Sequence, residues 1–598
     1  MTISTFPPFM VFFAGALMVL LLKGRLRSAV LMCIPVIGFL NLISTPEGTH
    51  WTVHFLEHTL IFGKVDKLSL AFGAVYHLIT LIAVIYSLHV RERGHHSVSL
   101  LLSGSGVGAV FSGDLISLFI FWEIMAVAGT LLVWMGSGRG AAPAGMRYFI
   151  VHLFGGLFFL FGALLHIQAT GTADFGFIGL GSLASWLLFI SFGINCAWPG
   201  LHAWIPDAYP QTTPAGAVFM WTFTTKTAVF VLLRAFPGTE LLIWIGAVMA
   251  VFPVFFALIE NNLRRVLAYG LINQLGFMVA GIGIGTPLSI NGTVSHVICH
   301  ILYNALLVMS MGAVLHRTGK IHCTDLGGLC KSMPLTTAFC IVGAVSISGF
   351  PLFSGFVSKS MVLEAAGIGQ MAMVWILLMI AVIGDFQSVG IKVPYRAFFA
   401  HDAGLSPKEA PPHMLAAMGI AAFFCIAVGV YPSVLYAMLP YPVDFQPYTA
   451  AHVVTTCQLL LFGALAYLLF VRFGLLTPER RATNLDADWF YRKGAQAFMW
   501  VVNRPAARVA QWFSAAVFDR MPAFLAWFGR NPLAALKIGG DLILLFFSSG
   551  QHRQKIAQRI KQEKEIFPGD IMKRWPVGTS VLWVTMFLLA YLLVYYLK

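Results

Sequence analysis

The sequence predicts an all-α integral membrane protein with about 14 to 16 transmembrane helices. Of its 598 residues, 58% are hydrophobic and only 10% are charged, whereas a soluble domain carries about 25% charged residues. The mean hydropathy is +0.82. Apolar stretches of about 20 residues, the length that crosses a bilayer, recur along the chain. These observations exclude a soluble enzyme, a disordered protein and a disulfide-stapled secreted domain.

The predicted spans follow one another from the first residues to the last. Their approximate ranges are 7–22, 28–44, 68–89, 97–113, 115–135, 147–168, 182–204, 214–235, 240–259, 265–285, 291–315, 333–350, 361–392, 411–437, 450–472 and 578–597. Proline and glycine can interrupt a membrane helix, and both occur in or beside the seventh, twelfth and thirteenth spans. We therefore expect discontinuous helices there.

The distribution of basic residues among the loops predicts the orientation. Cytoplasmic loops are enriched in Lys and Arg. With the N-terminus outside, the odd-numbered loops up to the fourteenth span hold fourteen Lys or Arg, whereas the even-numbered loops hold four: Lys64, Lys67, Arg234 and Lys359. The sequence thus predicts a multi-pass protein of a bacterial inner (plasma) membrane. The basic residues of the cytoplasmic loops explain the net charge of +14, so the charge does not indicate a nucleic-acid partner.

The composition changes after the fifteenth span. Residues 473–577 contain sixteen Lys or Arg and eight Asp or Glu, and aromatic residues alternate with arginines there. Such a segment is typical of helices lying at a membrane interface. The segment 476–577 is therefore predicted to be cytoplasmic, either held to anionic lipid headgroups or bracing a neighbouring subunit.

Two charged residues lie in the middle of predicted spans. A charge at this depth costs roughly 2.5–3.5 kcal/mol and marks a functional candidate. Glu123 lies among Phe, Trp and Ile in the fifth span, and Lys226 lies among threonines in the eighth. Each needs a partner or water, and each could carry a proton. The alternative for Glu123 is a structural hydrogen bond between helices.

Further titratable residues occur later in the chain. His296 and His300 are four residues apart and so share one helix face. Imidazole both accepts and donates a proton near neutral pH, which favours a proton relay over core hydrogen bonding or a metal pair. Lys392 lies two residues before a proline, and a broken helix beside a charge is typical of transporter sites. Asp385, roughly two turns earlier, is a secondary candidate, with a helix-end carboxylate as the alternative.

The sequence predicts no cofactor and no metal site. The eight cysteines form no C-x-x-C pair, and no phosphate-binding glycine loop is present. The titratable residues are spread along the protein without a nucleophile–base pair. This pattern favours proton movement over bond chemistry.

Four motifs resemble one known family. They are VDKLS at 65–69, LHAWIPDAYP at 201–210, RRVLAY at 264–269 and SISGFPLFSGFVSK at 346–359. Together with Lys226 they resemble the proton-translocating, antiporter-like membrane subunits of respiratory complex I, membrane-bound hydrogenases and Mrp-type cation/proton antiporters. Within that family the sequence is most similar to the Mrp D-type subunit.

The resemblance implies two inverted five-helix repeats with discontinuous helices. It also implies that Glu123 is the carboxylate of the proton path, Lys226 the central lysine and Lys392 the terminal lysine. His296 and His300 match the family's histidine-bearing helix. In the family, protons hop through water between such groups.

Two residues depart from the family pattern. Asn195 and Asn304 stand where the family usually has lysines, and an amide cannot titrate in this range. Glu123 therefore lacks its usual cationic partner. His152, in the sixth span, is a candidate substitute.

The chain is expected to divide into five parts. These are N-terminal helices 1–60, an antiporter-like core 61–410, C-terminal core helices 411–475, the basic segment 476–577 and a terminal helix 578–598. We expect a transporter subunit that works with other membrane subunits and moves protons, with Na+ as the candidate counter-ion. In a complex I or hydrogenase assembly it would be a translocating membrane subunit without redox centres. The alternatives are a non-conducting scaffold and an energy-coupling subunit for uptake of inorganic carbon.

Overall fold

The computed structural model describes residues 6–55, 57–474, 484–569 and 577–596. The chain forms two units, Met1–Asp488 and Trp489–Lys598. The described residues that follow the last core helix, 484–488, belong to the same unit as the core. The finer division into five parts stays a prediction.

The first half of the larger unit contains ten α-helices. They are α1 (Pro8–Leu21), α2 (Gly24–Ile43), α3 (Lys67–Tyr86), α4 (Arg93–Phe111), α5 (Leu115–Trp134), α6 (Ala141–Thr170), α7 (Leu183–Asn195), α8 (Trp204–Ala208), α9 (Pro214–Met220) and α10 (Phe223–Ala235). Several begin at a side-chain cap. The Asp66 carboxylate, for example, accepts the backbone N–H of Ser69 at the start of α3, which pairs an amide that the helix leaves free.

The second half adds ten more α-helices. They are α11 (Glu240–Ile259), α12 (Leu263–Ile284), α13 (Pro287–Thr318), α14 (Pro334–Ser348), α15 (Ser354–Ile368), α16 (Ala372–Asp385), α17 (Lys392–Pro394), α18 (Pro412–Val430), α19 (Ser433–Tyr436) and α20 (Ala450–Arg472). Two π-helical stretches, Phe386–Ile391 and Tyr395–Phe399, flank α17. They lie on either side of the predicted irregularity near Pro394.

The prediction of an all-α membrane protein is confirmed. Among the described residues, eleven helical segments are long and apolar enough to cross a membrane, and four shorter apolar helices accompany them. Every residue of α13 from Ser289 to Val314 is buried, so its polar side chains face protein rather than lipid. The two inverted repeats stay a prediction.

The helix breaks fall partly where the sequence predicts them. The seventh span ends at Asn195, and Ala197 and Gly200 follow with positive φ. The thirteenth span is divided between α15 and α16. The break near the twelfth span comprises residues 349–353, directly after α14 ends at Ser348. A further break, at Trp221 and Thr222, divides the eighth span into α9 and α10.

A β-hairpin between α2 and α3 is absent from the predictions. Its strands, β1 (Gly48–Phe55) and β2 (His58–Val65), pair antiparallel from Gly48 opposite Val65 to Phe55 opposite His58. Ile61 of β2 donates its backbone N–H to Asp114 at 2.6 Å, which connects the hairpin to the start of α5.

The smaller unit is also helical where the structure describes it. Its helices are α21 (Asp488–Val501), which starts one residue before the unit, α22 (Ala507–Ser514), α23 (Met521–Arg530), α24 (Pro532–Phe547), α25 (Gly550–Ile566) and α26 (Val577–Tyr596). Large aromatic side chains along α21–α23, among them Phe498, Trp512 and Phe524, are exposed. Ile538 of α24 packs with Ile556 and Ile560 of α25 in a small core.

Candidate functional site

Lys226 is held by the break between α9 and α10. It is the fourth residue of α10 and is fully buried. Its Nζ donates to the backbone carbonyl of Trp221 at 2.6 Å. A helix break leaves carbonyls without their intrahelical partners, and the ammonium of Lys226 fills that role here. The predicted central lysine is therefore positioned by the backbone.

Lys359 has the same arrangement at the break between α14 and α15. It is the sixth residue of α15, and its Nζ donates to the carbonyl of Ile347 at 2.5 Å, near the end of α14. Leu352 adopts φ +75° within this break. The predicted orientation treats Lys359 as a loop residue, and the structure corrects this because the side chain is only 3% exposed inside a helix.

Lys359 also forms a buried ion pair with Asp385. Its Nζ lies 3.3 Å from Asp385 Oδ2, and the Asp385 side chain is fully buried. The ammonium also lies 5.4 Å from the centre of the Phe277 ring. Buried charges need such a partner. Asp385, predicted as a secondary candidate, thus pairs with a lysine that the sequence reasoning did not select as a site residue.

Hydrogen bonds extend from Asp385 toward the centre of α13. Gln274 of α12 donates its Nε2 to Asp385 Oδ2 at 2.9 Å and accepts from the Tyr303 hydroxyl at 3.0 Å. The Tyr303 ring lies 5.3 Å from the His300 ring. Gln274 and Tyr303 are neutral, so a pattern of charges at membrane depth does not reveal them.

His296 and His300 lie between the two lysines on α13. Their ring centres are 6.1 Å apart, as the i, i+4 spacing predicts. His296 Nδ1 is 3.0 Å from Ser358 Oγ, next to Lys359. Neither nitrogen of His300 has a hydrogen-bond partner among the described residues, and both Lys226 and Lys359 are within electrostatic range of it. Asn304 is buried one turn further along the helix.

Glu123 and Asn195 lie against two adjacent glycines of α6, the helix that also carries His152. A methyl group at Gly155 would lie 3.5 Å from Asn195 Oδ1, and one at Gly156 would overlap Glu123 Oε1. Within the described chain, Glu123 Oε1, His152 Nε2 and both polar atoms of Asn195 have no hydrogen-bond partner. Buried polar atoms normally pair with protein or ordered water. The expected substitution of His152 as partner of Glu123 is not seen as a direct contact.

Lys392 has a different environment. Its Nζ donates to the carbonyls of Ala257, Leu258 and Glu260, at 3.2, 2.7 and 2.7 Å. These are free carbonyls at the end of α11, so Lys392 acts as a C-terminal cap. Lys392 is about forty residues after the break at 349–353. The Asp385 carboxylate pairs with Lys359.

A small cavity of about 150 Å³ opens beside Lys359. Polar side chains of α15 and α20 contribute to its wall, including Ser360, Glu364, His452 and Thr455. His452 Nε2 lies 2.9 Å from Ser360 Oγ. The volume is sufficient for several water molecules, since one needs about 10–15 Å³. The cavity can therefore hold water beside the lysine at the second break.

Comparison with known proteins shows which family the core is similar to. Residues 112–386 match the family model described as NADH:quinone oxidoreductase/Mrp antiporter, TM. The chain is 27% identical over 470 residues to a probable K(+)/H(+) antiporter A/B-type subunit of Rhizobium meliloti, covering 70% of this chain and 46% of that protein. It is 29% identical over 290 residues to the D-type subunit of a Na(+)/H(+) antiporter of Alkalihalophilus pseudofirmus, covering 45% and 58%. The chain thus spans about half the length of these relatives.

Solved structures show the same fold. A chain of the Mrp complex from Dietzia sp. aligns with a TM-score of 0.66 at 19% identity, covering 76% of this chain and 99% of that chain. A chain of respiratory complex I from Thermus thermophilus aligns with a TM-score of 0.65 at 20% identity, with the same coverage. Residues 112–386 of the membrane core thus match the model of this transmembrane family, and the aligned structures share the fold of the core.

Proposed function

We propose that this chain moves protons across the membrane as one subunit of a larger antiporter-like or respiratory assembly. One observation carries the proposal: two buried lysines, Lys226 and Lys359, each follow a helix break and each donate to a carbonyl at that break. Structural stability does not require two buried ammonium groups, since burying each costs several kcal/mol. Proton transfer does require groups of this kind at membrane depth.

The geometry supports a stepwise transfer between the two lysines. His296 and His300 lie within electrostatic range of both. Two like charges at short range inside a protein repel each other, so a proton on one lysine disfavours a proton on the histidines or on the other lysine. Asp385 offsets the charge of Lys359. A proton moving along this row would therefore change the charge balance at the next group.

We propose that Lys359, rather than Lys392, has the terminal lysine role. Lys359 matches Lys226 in its position relative to a break, and it pairs with a buried carboxylate. Lys392 instead caps α11 through three backbone carbonyls. The reassignment keeps one lysine at each discontinuous helix.

We infer the orientation from the corrected charge count. Removing the buried helical residues Lys359 and Arg264 from the loops leaves thirteen basic residues on the odd-numbered side and three on the other, which supports an outside N-terminus and a cytoplasmic basic segment. A bacterial inner membrane is the proposed location. Other membrane subunits are the proposed partners, and the names of the relatives support Na+ or K+ as the counter-ion.

Proton flux in vesicles tests the proposal. The full chain, purified with its native associated subunits, is reconstituted around a pH-sensitive dye, and an ion gradient is applied. We expect Lys226→Met and Lys359→Met each to lower the flux about 100-fold, the scale of a lost proton-transfer group. Lys408→Met, at an exposed loop position, is the matched control and keeps wild-type flux. Equal flux in wild type and both buried variants would refute the proposal.

Lys392→Met distinguishes the two candidates for the terminal role. As a helix cap, Lys392 should affect thermal stability while the remaining folded protein conducts normally. If its flux falls as far as that of Lys359→Met at unchanged stability, the terminal role belongs to Lys392.

A non-conducting scaffold is the second candidate. It is favoured by Glu123, whose Oε1 has no partner among the described residues and whose neighbour Asn195 cannot carry charge. In this case wild-type vesicles would conduct no more than empty ones, and Asn195→Lys with Asn304→Lys would create a flux.

A further inference from the structure

Residues 484–488 dock an acidic side chain against the core, at the predicted cytoplasmic end. Asp486 is 9% exposed. Its Oδ2 accepts the Tyr269 hydroxyl at 2.8 Å, and its two oxygens lie 3.1 and 3.2 Å from His202 Nε2. These contacts span more than 200 positions of sequence.

A second contact fixes the same segment. Asn484 Nδ2 donates to Glu260 Oε2 at 3.3 Å, and Arg265 Nη1 lies 3.4 Å from the same oxygen. The Glu260 backbone carbonyl accepts from Lys392. The segment is therefore anchored at the junction between α11 and α12 as well as at His202.

His202 lies in the loop that follows the end of α7. Its side chain is only 4% exposed, and its ring packs 4.6 Å from that of Phe252. Because a carboxylate only accepts, His202 Nε2 must donate to Asp486. Nδ1 is buried and has no hydrogen-bond partner among the described residues. In the neutral ring, the buried Nδ1 then carries the lone pair.

The two ring nitrogens of His202 therefore have different environments: Nε2 contacts a carboxylate, and Nδ1 is buried without a hydrogen-bond partner among the described residues. A proton arriving from inside would bind at Nδ1, and the imidazolium would be stabilised by the carboxylate at Nε2. The Nε2 proton can then pass to Asp486 and on to water, which leaves a neutral ring that carries its proton at Nδ1. A flip of the ring, or exchange between the two tautomers, returns the starting form before the next proton arrives. Asn195, at the other end of the same loop, also has buried polar atoms without partners in the described chain.

We propose that His202 is a proton-transfer residue at the predicted cytoplasmic mouth of the core, and that Asp486 orients its ring and accepts the proton that leaves from Nε2. The proposal rests on the proton transport proposed above. It makes the segment after the core helices part of the conduction path. The segment leads directly into the smaller unit, which starts at Trp489.

The other charged and titratable groups around the pair come from several elements. They are Tyr269 and Arg265 of α12, Glu260 before it, Lys392 of α17, Arg147 of α6, Asp207 of α8 and Asp488 at the start of α21. Arg147 and Asp207 neutralise each other through two hydrogen bonds of 2.6 and 2.8 Å. Arg265 similarly pairs with Glu260, so the charge paired directly with His202 is that of Asp486.

The test uses the full chain with its native subunits in the same flux assay. We expect His202→Gln and Asp486→Asn each to lower flux about tenfold or more, and Asp486→Glu to retain most of it. Tyr269→Phe should lower flux less than Asp486→Asn, because it removes one hydrogen bond to Asp486 and leaves the contact with His202. Lys408→Met, at an exposed position outside these contacts, is the control and should keep wild-type flux.

Chemical rescue separates proton transfer from simple anchoring. Formate or imidazole added on the side of Asp486 should restore flux to Asp486→Asn, because a small buffer can replace a carboxylate near the surface. It should not restore Lys226→Met, whose site is fully buried. Loss of flux without rescue would show that Asp486 only anchors the segment and would overturn the proposal.

The two proposals fail in different ways. If wild-type vesicles conduct no protons, the proposed function fails. If wild type conducts and both His202→Gln and Asp486→Asn conduct equally well, only the role of this pair is refuted.

Discussion

Lys359 and Asp385 show what a buried charge requires of its surroundings. The ammonium is held by a carbonyl, a carboxylate and an aromatic face. Removing one partner of a buried pair leaves the other charge uncompensated, which costs more than the pair contributes when intact. The pair is therefore sensitive to single substitutions and tolerant of a double one.

Asp385→Ala should lower the free energy of unfolding by about 3–5 kcal/mol, because it leaves Lys359 buried and unpaired. Unfolding of the detergent-purified protein, followed by heat or denaturant, measures the loss. The double variant Lys359→Met with Asp385→Leu should recover most of it. A single variant as stable as wild type would show that another group balances the lysine.

At this scale the sequence predicted several of the candidate residues but not how they pair. Glu123, Lys226, His296 and His300 were found because charges and histidines at membrane depth are rare. Lys359 was missed because it lies just before the predicted thirteenth span, in a stretch rich in glycine and proline that is typical of a loop. Whether a lysine beside such a break faces solvent or a buried carboxylate depends on α16, which is distant in the sequence.

The helices depend on caps that can be tested one at a time. Asp66 caps α3 through Ser69 and also accepts two hydrogen bonds from Arg234 of α10, at 2.8 and 3.0 Å. Burial alone would raise the pKa of Asp66, but the hydrogen bonds and charge of Arg234 outweigh it and lower the pKa below 3.8. Cap and ion pair thus act through one carboxylate.

Asp66→Ala should destabilise the protein by about 1–2 kcal/mol through the lost cap. Asp66→Asn is the matched control, because Asn is an equally good cap but has no charge. A lowered pKa means that the stabilisation by the ionised group is present above pH 3.8 and is lost as the pH falls below it. Thermal unfolding of the three proteins at neutral and acidic pH measures the contribution of the cap and that of the charge. Equal stability of wild type and Asp66→Ala would show that Asp66 does not stabilise α3 as a cap.

Breaks and irregular elements were the hardest features to predict. The break at Trp221 contains no proline or glycine, so no local signal marks it. The first strand of the β-hairpin alternates polar and apolar residues, as strands do, but the second contains three apolar residues in a row, and both are short beside twenty-residue apolar spans. The contacts of Asn484 and Asp486 depend on residues more than 200 positions away, and no short-range pattern reports them.

At the scale of the whole molecule, a histidine cluster connects distant parts of the chain. His89, after α3, lies 3.1 Å from His413 of α18 through Nδ1 and Nε2, and its ring is 4.8 Å from that of His316 at the end of α13. Burial, followed by the charges of His316 and His413, lowers the pKa of His89 from 6.5 to about 4. The neutral ring is thus the form that fits this contact.

Stability should fall as the pH decreases from 6.5 toward 4, because the unfolded chain binds a proton at His89 in that range and the folded chain does not. His89→Gln should weaken this pH dependence, measured as the difference in Tm between pH 7.5 and about 5. His401→Gln, at an exposed position, serves as the control. Identical pH dependence in wild type and His89→Gln would exclude the cluster as a cause.

The carbonyls that hold Lys226 and Lys359 have a consequence for mutational tolerance. A backbone acceptor at a helix break is present whatever side chains surround it, so each lysine keeps one hydrogen-bond partner when a neighbouring residue other than an ion-pair partner is replaced. Neutral residues such as Asn195 and Asn304 can therefore accumulate around the lysines without unfolding the protein. Substitutions that change the charge pattern would then alter the rate of proton transfer before they lower the stability enough to prevent folding.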